Sequence, residues 1–222
     1  MNLMEAMKKR HSVRQYQNRP LEADVISALQ TEIEGCNKES GLHIQLVTNE
    51  PKAFDGFMAH YGKFSGVTSY IAMIGKKGAD LDEKCGYYGE RLVLRAQQLG
   101  LNTCWAAMTY TKIKTAFSVA PGEKLCIVIS IGYGETQGMA HKSKPFEKVA
   151  KTEGTVPDWF KNGVNAALLA PTAMNQQKFQ FTLKDNQVSV KAGIGFYTRV
   201  DLGIVKYHFE IGANKPDFKW SN

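Results

Sequence analysis

Arg10-His11-Ser12-Val13-Arg14 gathers two guanidinium groups, an imidazole and a hydroxyl within five residues, at the end of what reads as the first helix. All are donors suited to a phosphate, and an arginine can grip one with two parallel hydrogen bonds. Lys142 and Lys144 form a second basic group after a late apolar strand. Between the two lies Gly100-Leu101-Asn102-Thr103-Cys104-Trp105, where a helix turns into a strand. Together these features point to a phosphate-bearing cofactor rather than a polymer.

Composition bounds the partners. The chain has 222 residues, enough for one large core or two small ones. Hydrophobic residues make up 43%, which fits a globular protein and argues against disorder. The formal net charge of +7 favours acidic partners. Spread over this length it is moderate, and no basic stripe interleaved with aromatic residues argues for nucleic acid. Cys36, Cys85, Cys104 and Cys126 have neither metal-ligand nor redox-motif spacing, so they read as small buried residues and no metal site is expected. With no apolar leader and no run of the roughly 18 apolar residues that a membrane span needs, the expectation is a cytoplasmic protein.

The elements that must position these groups follow from periodicity. Asn2 to Lys9 reads as a short helix. Pro20 opens a second, with Val25, Ile26, Leu29 and Ile33 on one face and Gly35 as its stop. His43 to Thr48 and Tyr70 to Ile74 read as strands. Glu83 to Gln98 is a long helix with a broad apolar face, capped by Gly100. Thr103 to Ala107 is a strand, Thr111 to Phe117 a helix, and Leu125 to Tyr133 the strongest strand. Gly134 to Thr155, polar and rich in Lys and Gly, reads as a surface connector. Pro157 starts a helix to about Leu169, and Phe179 to Leu183 and Val188 to Lys191 form a hairpin across Lys184-Asp185-Asn186-Gln187. Asp201 to Ile211 is a last helix, ended by Gly212. Apolar strands alternating with one long helix predict an α+β fold with a mixed, mostly antiparallel sheet.

Leu99-Gly100-Leu101-Asn102 before Trp105 is echoed by Ile211-Gly212-Ala213-Asn214 before Trp220. An internal duplication with a degenerate second copy would produce this echo. Convergent helix capping would produce it equally.

In these motifs the chain resembles the nitroreductase family of FMN-dependent oxidoreductases. Arg10 to Tyr16 matches the family's Arg-x-Ser-x-Arg-x-aromatic start. The stretch from Tyr88 to Trp105 resembles its central helix followed by Gly-Leu-Gly-Thr-Cys-Trp, with Asn102 in place of the second glycine. Ile129 to Gly134 is similar to its last core strand, and Lys142-Ser143-Lys144-Pro145 to its basic tail. The family's Ala-Pro-Ser-x-x-Asn-x-Gln-Pro motif is missing after the second helix, where Glu34 to Ser40 stands. It recurs late, as Ala170-Pro171-Thr172-Ala173-Met174-Asn175-Gln176-Gln177. In the family this motif reaches over from the partner subunit. Its place here resembles the single-chain, duplicated branch of TM-type nitroreductases.

The resemblance implies a nitroreductase-like fold around the long central helix. It divides the chain into a first repeat at 1–134, a connector at 135–155 and a degenerate second repeat at 156–222 that completes the flavin site. It implies FMN, with NADH or NADPH as electron donor and a nitro compound, quinone or free flavin as acceptor, in a ping-pong cycle on flavin N5 that needs no catalytic side chain. The alternative is a flavin-binding protein with little turnover. Arg10, Lys142 and Lys144 would neutralise the phosphate, Ser12 would hydrogen-bond it and His11 would contact the cofactor. Arg14 would stabilise negative charge at the N1 and C2 carbonyl end of the ring. Pro171 would fix a loop whose Thr172, Asn175 and Gln177 meet the ring edge or ribityl chain, and Trp105, Ala106 and Ala107 would approach the ring. No nucleic-acid or membrane partner is implied; the assembly is either a monomeric pseudo-dimer or a homodimer. Tyr61, Phe64 and Tyr110 are candidates to line a substrate pocket.

Overall fold

A computed structural model of the chain describes residues 1–152, 154–184 and 186–221. The fold is α+β, with two four-stranded sheets rather than one. The first comprises β1 (Gln45–Val47), β2 (Tyr70–Lys76), β3 (Asn102–Ala106) and β4 (Glu123–Gly132), in the order β1-β2-β4-β3 and antiparallel throughout. The second comprises β5 (Ala150–Thr152), β6 (Phe179–Lys184), β7 (Gln187–Ala192) and β8 (Lys219–Trp220), in that order. There β6 and β7 are an antiparallel hairpin, and β5 and β8 flank it in parallel. Asp185, expected in the hairpin turn, lies outside the described residues.

Strand β2 is buried on both faces, which is why its sequence is continuously apolar. Ile71 and Met73 point into the main core, beneath α2 (Ala23–Ser40) and α4 (Leu81–Gln98). Tyr70, Ala72 and Ile74 point into a second core on the opposite face, with Phe54, Phe64 and Val67. The main core runs on through α5 (Asp158–Ala167) and α6 (Thr198–Ala213) to Phe181 and Val188 of the second sheet. Helix α4 thus lies at the centre, as its broad apolar face requires, and it packs extensively on α6. Helices α1 (Leu3–Lys9) and α3 (Phe57–Tyr61) are short and peripheral.

Several expectations are corrected. Gly35 does not stop α2; it faces Arg91 on α4, and the helix runs to Ser40, where Gly41 turns left-handed at φ 71°. Gly212 lies inside α6, closed instead by Asn214. Residues 111–117 form an irregular loop with a turn at Lys114 and Thr115, not a helix: Phe117 is buried in the second core, with Ile113 and Ala116 packed against that core. The expected connector contains β5, held by its pairing with β6. Cys85 and Cys126, remote in sequence, neighbour one another between α4 and β4, where the Cys126 thiol also reaches Asp82 Oδ1 at 3.4 Å. Phe64 and Tyr110 pack around Phe54, with ring centroids 5.0 and 6.1 Å away, and Tyr61 is exposed on α3. None of these three lines the hollows described below.

Candidate active site

Three segments build the site. The first is 10–16. Asn2 and Glu5 cap α1 reciprocally, at 2.9 and 3.0 Å, which fixes the helix that ends at Arg10. The chain then runs extended beside β3. Val13 N donates to Thr103 O at 3.1 Å, Ser65 N donates to Arg14 O at 3.0 Å, and the buried Tyr16 hydroxyl donates to Val13 O at 2.7 Å. Ser12 and Arg14 are thereby held next to Cys104 and Trp105.

The second segment is the loop 171–177. Met174, Asn175 and Gln177 adopt left-handed backbone, at φ 51°, 52° and 45°. Non-glycine residues persist there only where the surroundings over-determine them. Gln177 is the main fastener. Its Oε1 accepts from Lys144 N at 2.8 Å, and its Nε2 donates to Lys142 O at 2.9 Å and to Asn175 Oδ1 at 2.7 Å. Lys144 Nζ donates to Gln176 O at 2.7 Å and Gln177 O at 2.9 Å.

The third segment is the N-terminal part of α6. Asp201 Oδ1 accepts from Ala173 N at 3.0 Å and Oδ2 accepts from Gln176 Nε2 at 2.8 Å. Burial pushes this carboxyl up to about 6, against the two hydrogen bonds, which favour its ionised form.

Between these segments lie two adjoining hollows of about 120 and 320 Å³ that share Ser12, Arg14, Pro171, Thr172 and Met174. Cys104, Trp105 and Ala107 wall the smaller from the first half of the chain, and Tyr197, Asp201 and Ile204 from the second. Arg10, Met139, His141 and Asn175 wall the larger. One chain therefore supplies both sides.

Arg10 is the most informative wall residue. It is 3% exposed, yet its Nε has no hydrogen-bond partner, and the nearest carboxylate, Glu90, stands 4.0 Å away. Burial lowers its proton affinity, and Glu90 acts in the opposite direction. Buried polar groups are ordinarily satisfied. A buried guanidinium on a cavity wall, with its Nε unpartnered, fits an anionic ligand such as a phosphate.

Of the residues singled out from the sequence, Arg10, Ser12, Arg14, Trp105, Ala107, Pro171, Thr172 and Asn175 come together on the hollows. Ala106 is buried inside β3. His11 is half-buried beside them; its imidazole is held below its ordinary value, first by burial, then by Arg10 and His141. Gln177 is buried and spent on holding the loop. Lys144 is a correction, because its ammonium caps loop carbonyls and does not line the hollows. Lys142 also lies off the walls: its carbonyl serves the loop and its side chain is exposed.

Asp201, Tyr197 and His141 also wall the hollows, and the sequence motifs do not single them out. The signal for Asp201 was an acid on the apolar face of the last helix, in register with Ile204, Val205 and His208. His141 directly precedes the basic pair. Tyr197 left no periodic signal. Among the described residues no cluster of potential metal ligands occurs, and no helix is long and apolar enough to cross a membrane.

The family described as Putative TM nitroreductase matches residues 2–213. Among solved structures, one described as a putative nitroreductase from Thermotoga maritima superposes with a TM-score of 0.64 at 24% identity, over 96% of this chain and 83% of that one. An FMN-dependent nitroreductase from Clostridium difficile gives 0.50 at 18% identity, over 65% and 95%. A structure from Desulfovibrio desulfuricans, described as a putative nitroreductase in complex with FMN, gives 0.52 at 14% identity, over 71% and 99%. At these identities the superpositions show a shared fold. A search of curated proteins finds no match.

Proposed function

The chain belongs to the family described as Putative TM nitroreductase, and from that premise we propose that it is an FMN-dependent NAD(P)H oxidoreductase whose flavin site is built within one chain. The observation that carries the reading is Arg10, a buried guanidinium whose Nε has no hydrogen-bond partner, on a hollow walled by both halves of the chain. The relatives described as FMN-dependent or FMN-bound support the choice of anion. The division into a first repeat at 1–134 and a degenerate second repeat at 156–222 is part of this reading.

Arg10 and Ser12 would hold the phosphate, with His141 and Asn175 beside them. Arg14 lines both hollows and would bring its charge to the ring, and Thr172 lines both from the opposite side. Reduction adds negative charge to the isoalloxazine, so a fixed cation beside it favours the reduced state. When bound, FMN supplies the acceptance and onward transfer of hydride from NADH or NADPH to a nitro compound, quinone or free flavin. The chain contributes binding, orientation and electrostatics. Lys144 and Gln177 keep the loop 171–177 on the cavity rather than touching the ligand.

The visible spectrum of the purified protein tests the cofactor, and anaerobic stopped-flow bleaching by NADH or NADPH tests the turnover. Colourless protein that fails to quench added FMN refutes the first. A bound flavin that stays oxidised under an excess of both nucleotides refutes the second.

A further inference from the structure

Behind Arg10 lies a buried cluster that the site does not directly use. Glu90 on α4 and His208 on α6 are both 0% exposed. Glu90 Oε1 stands 2.9 Å from His208 Nε2, and Oε2 accepts from the indole Nε1 of Trp105 at 3.1 Å. On the other side of the ring, His208 Nδ1 stands 3.1 Å from the carbonyl oxygen of Ala166 on α5. Both ring nitrogens therefore face oxygen atoms. A carbonyl can only accept, so Nδ1 carries a proton. A bare Nε2 would set its lone pair against a carboxylate, so a second proton lies between Nε2 and Oε1. The Arg10 guanidinium, 4.0 Å from the same Oε1, and the donating indole both favour its resting on the imidazole.

Among the described residues, the ionisable groups facing His208 are Glu90 from α4 and, through it, Arg10 from the end of α1; the neutral phenol of Tyr207 on α6 also lies near Glu90, and α5 and β3 contribute the Ala166 carbonyl and the Trp105 indole. One guanidinium, one imidazolium and one carboxylate leave a single uncompensated positive charge beneath the cavity. A buried uncompensated charge is costly, and an anion entering beside Arg10 neutralises it.

We propose that His208 is a buried imidazolium that acts through Glu90 as a positioning residue, so that the second half of the chain supplies the charge with which the Arg10 site prefers a phosphorylated flavin. His208 cancels Glu90 and leaves Arg10 free for the ligand. The inference rests on the flavin reading above, and goes further by making discrimination between phosphorylated and unphosphorylated flavin a property of α6.

The test is the ratio of FMN to riboflavin affinity, measured by fluorescence quenching, in protein whose fold is verified by thermal melting. His208→Gln keeps a donor toward Glu90 but removes the charge; the ratio should fall about tenfold, because an uncancelled carboxylate then stands 4.0 Å from the Arg10 Nε. Adding Glu90→Gln to His208→Gln removes the opposing charge and should restore the ratio. An unchanged ratio in folded His208→Gln, or a double variant no better than the single one, overturns the proposal. Nitrogen NMR of the wild-type imidazole at pH 8 decides independently: two protonated ring nitrogens support it, and a neutral ring overturns it even where a variant fails to fold. If the wild type binds no flavin, the functional reading fails, while the NMR result still reports on the cluster.

Discussion

Gly86 on α4 and Gly203 on α6 rest on one another's helices. A Cβ at Gly86 would stand 2.0 Å from Val200 O, and one at Gly203 would stand 2.0 Å from Glu83 O. The contact is backbone against backbone and reciprocal. It sets how closely the helix bearing Glu90 approaches the helix bearing His208 and Asp201.

Gly86→Ala and Gly203→Ala should each destabilise the fold by about 1–3 kcal/mol, because neither obstructing atom can rotate away. The gain from better helix propensity, about 1 kcal/mol, acts in the opposite direction. Urea denaturation measures the balance. A midpoint equal to or above the wild type's would show that the helices can part without cost.

Arg10→Ala should weaken FMN binding by about 1.5–3 kcal/mol, the usual worth of a hydrogen bond to a charged group. Riboflavin, lacking the phosphate, should lose much less. Equal losses for the two ligands would remove Arg10 from the phosphate.

Asp201 makes stability depend on pH. Its folded value, about 6, lies above the ordinary 3.8. Its contribution is therefore fullest below the unfolded value and is lost as pH rises through the folded one. The unfolding free energy of the wild type relative to Asp201→Asn should fall by about 2–3 kcal/mol between pH 4 and pH 7.5. A pH-independent difference contradicts the burial cost assigned to this carboxyl.

Lys144→Met should loosen the loop 171–177, whose carbonyls its ammonium caps. Amide hydrogen exchange around Gln176 and Gln177 should accelerate, whereas Lys142→Met should leave it unchanged. Equal effects from the two substitutions would argue for general charge rather than this specific contact.

Mixing Arg10→Ala chains with Asn175→Ala chains should recover no FMN binding, since both residues wall one hollow of one chain. Recovery on mixing would mean that sites are completed between subunits.

How much of this was legible in the sequence depended on whether the signal was local. Helix α4 declares itself through a broad apolar face and strands β2 and β4 through continuous apolar runs, because each is buried widely enough to need them. The segment 111–117 misleads because Ile113, Ala116 and Phe117 fall at helical spacing while anchoring an irregular loop. Strand β5, only Ala150–Thr152, exists through pairing with β6 and has no period of its own. In the site, Arg10, Ser12 and Arg14 were readable as a cluster. For Lys144 the sequence shows a charge but not the loop carbonyls that its ammonium meets. Asp201 reaches the hollow only because α6 packs where it does, a relation between segments that no single segment encodes.

The position of α6 also has a consequence during synthesis. Every other wall of the two hollows precedes residue 198 in the chain, and domains form from the N-terminus as the ribosome releases them. Arg10 and β3 can meet early, but Asp201 cannot pin its loop, nor His208 cover Glu90, until α6 has emerged. A nascent chain thus exposes an incomplete cradle with Glu90 uncovered. Under the proposed reading, tight capture of the flavin would be a late event, in which bound ligand bridges α6 and the residues 10–14 that precede it by about 190 positions.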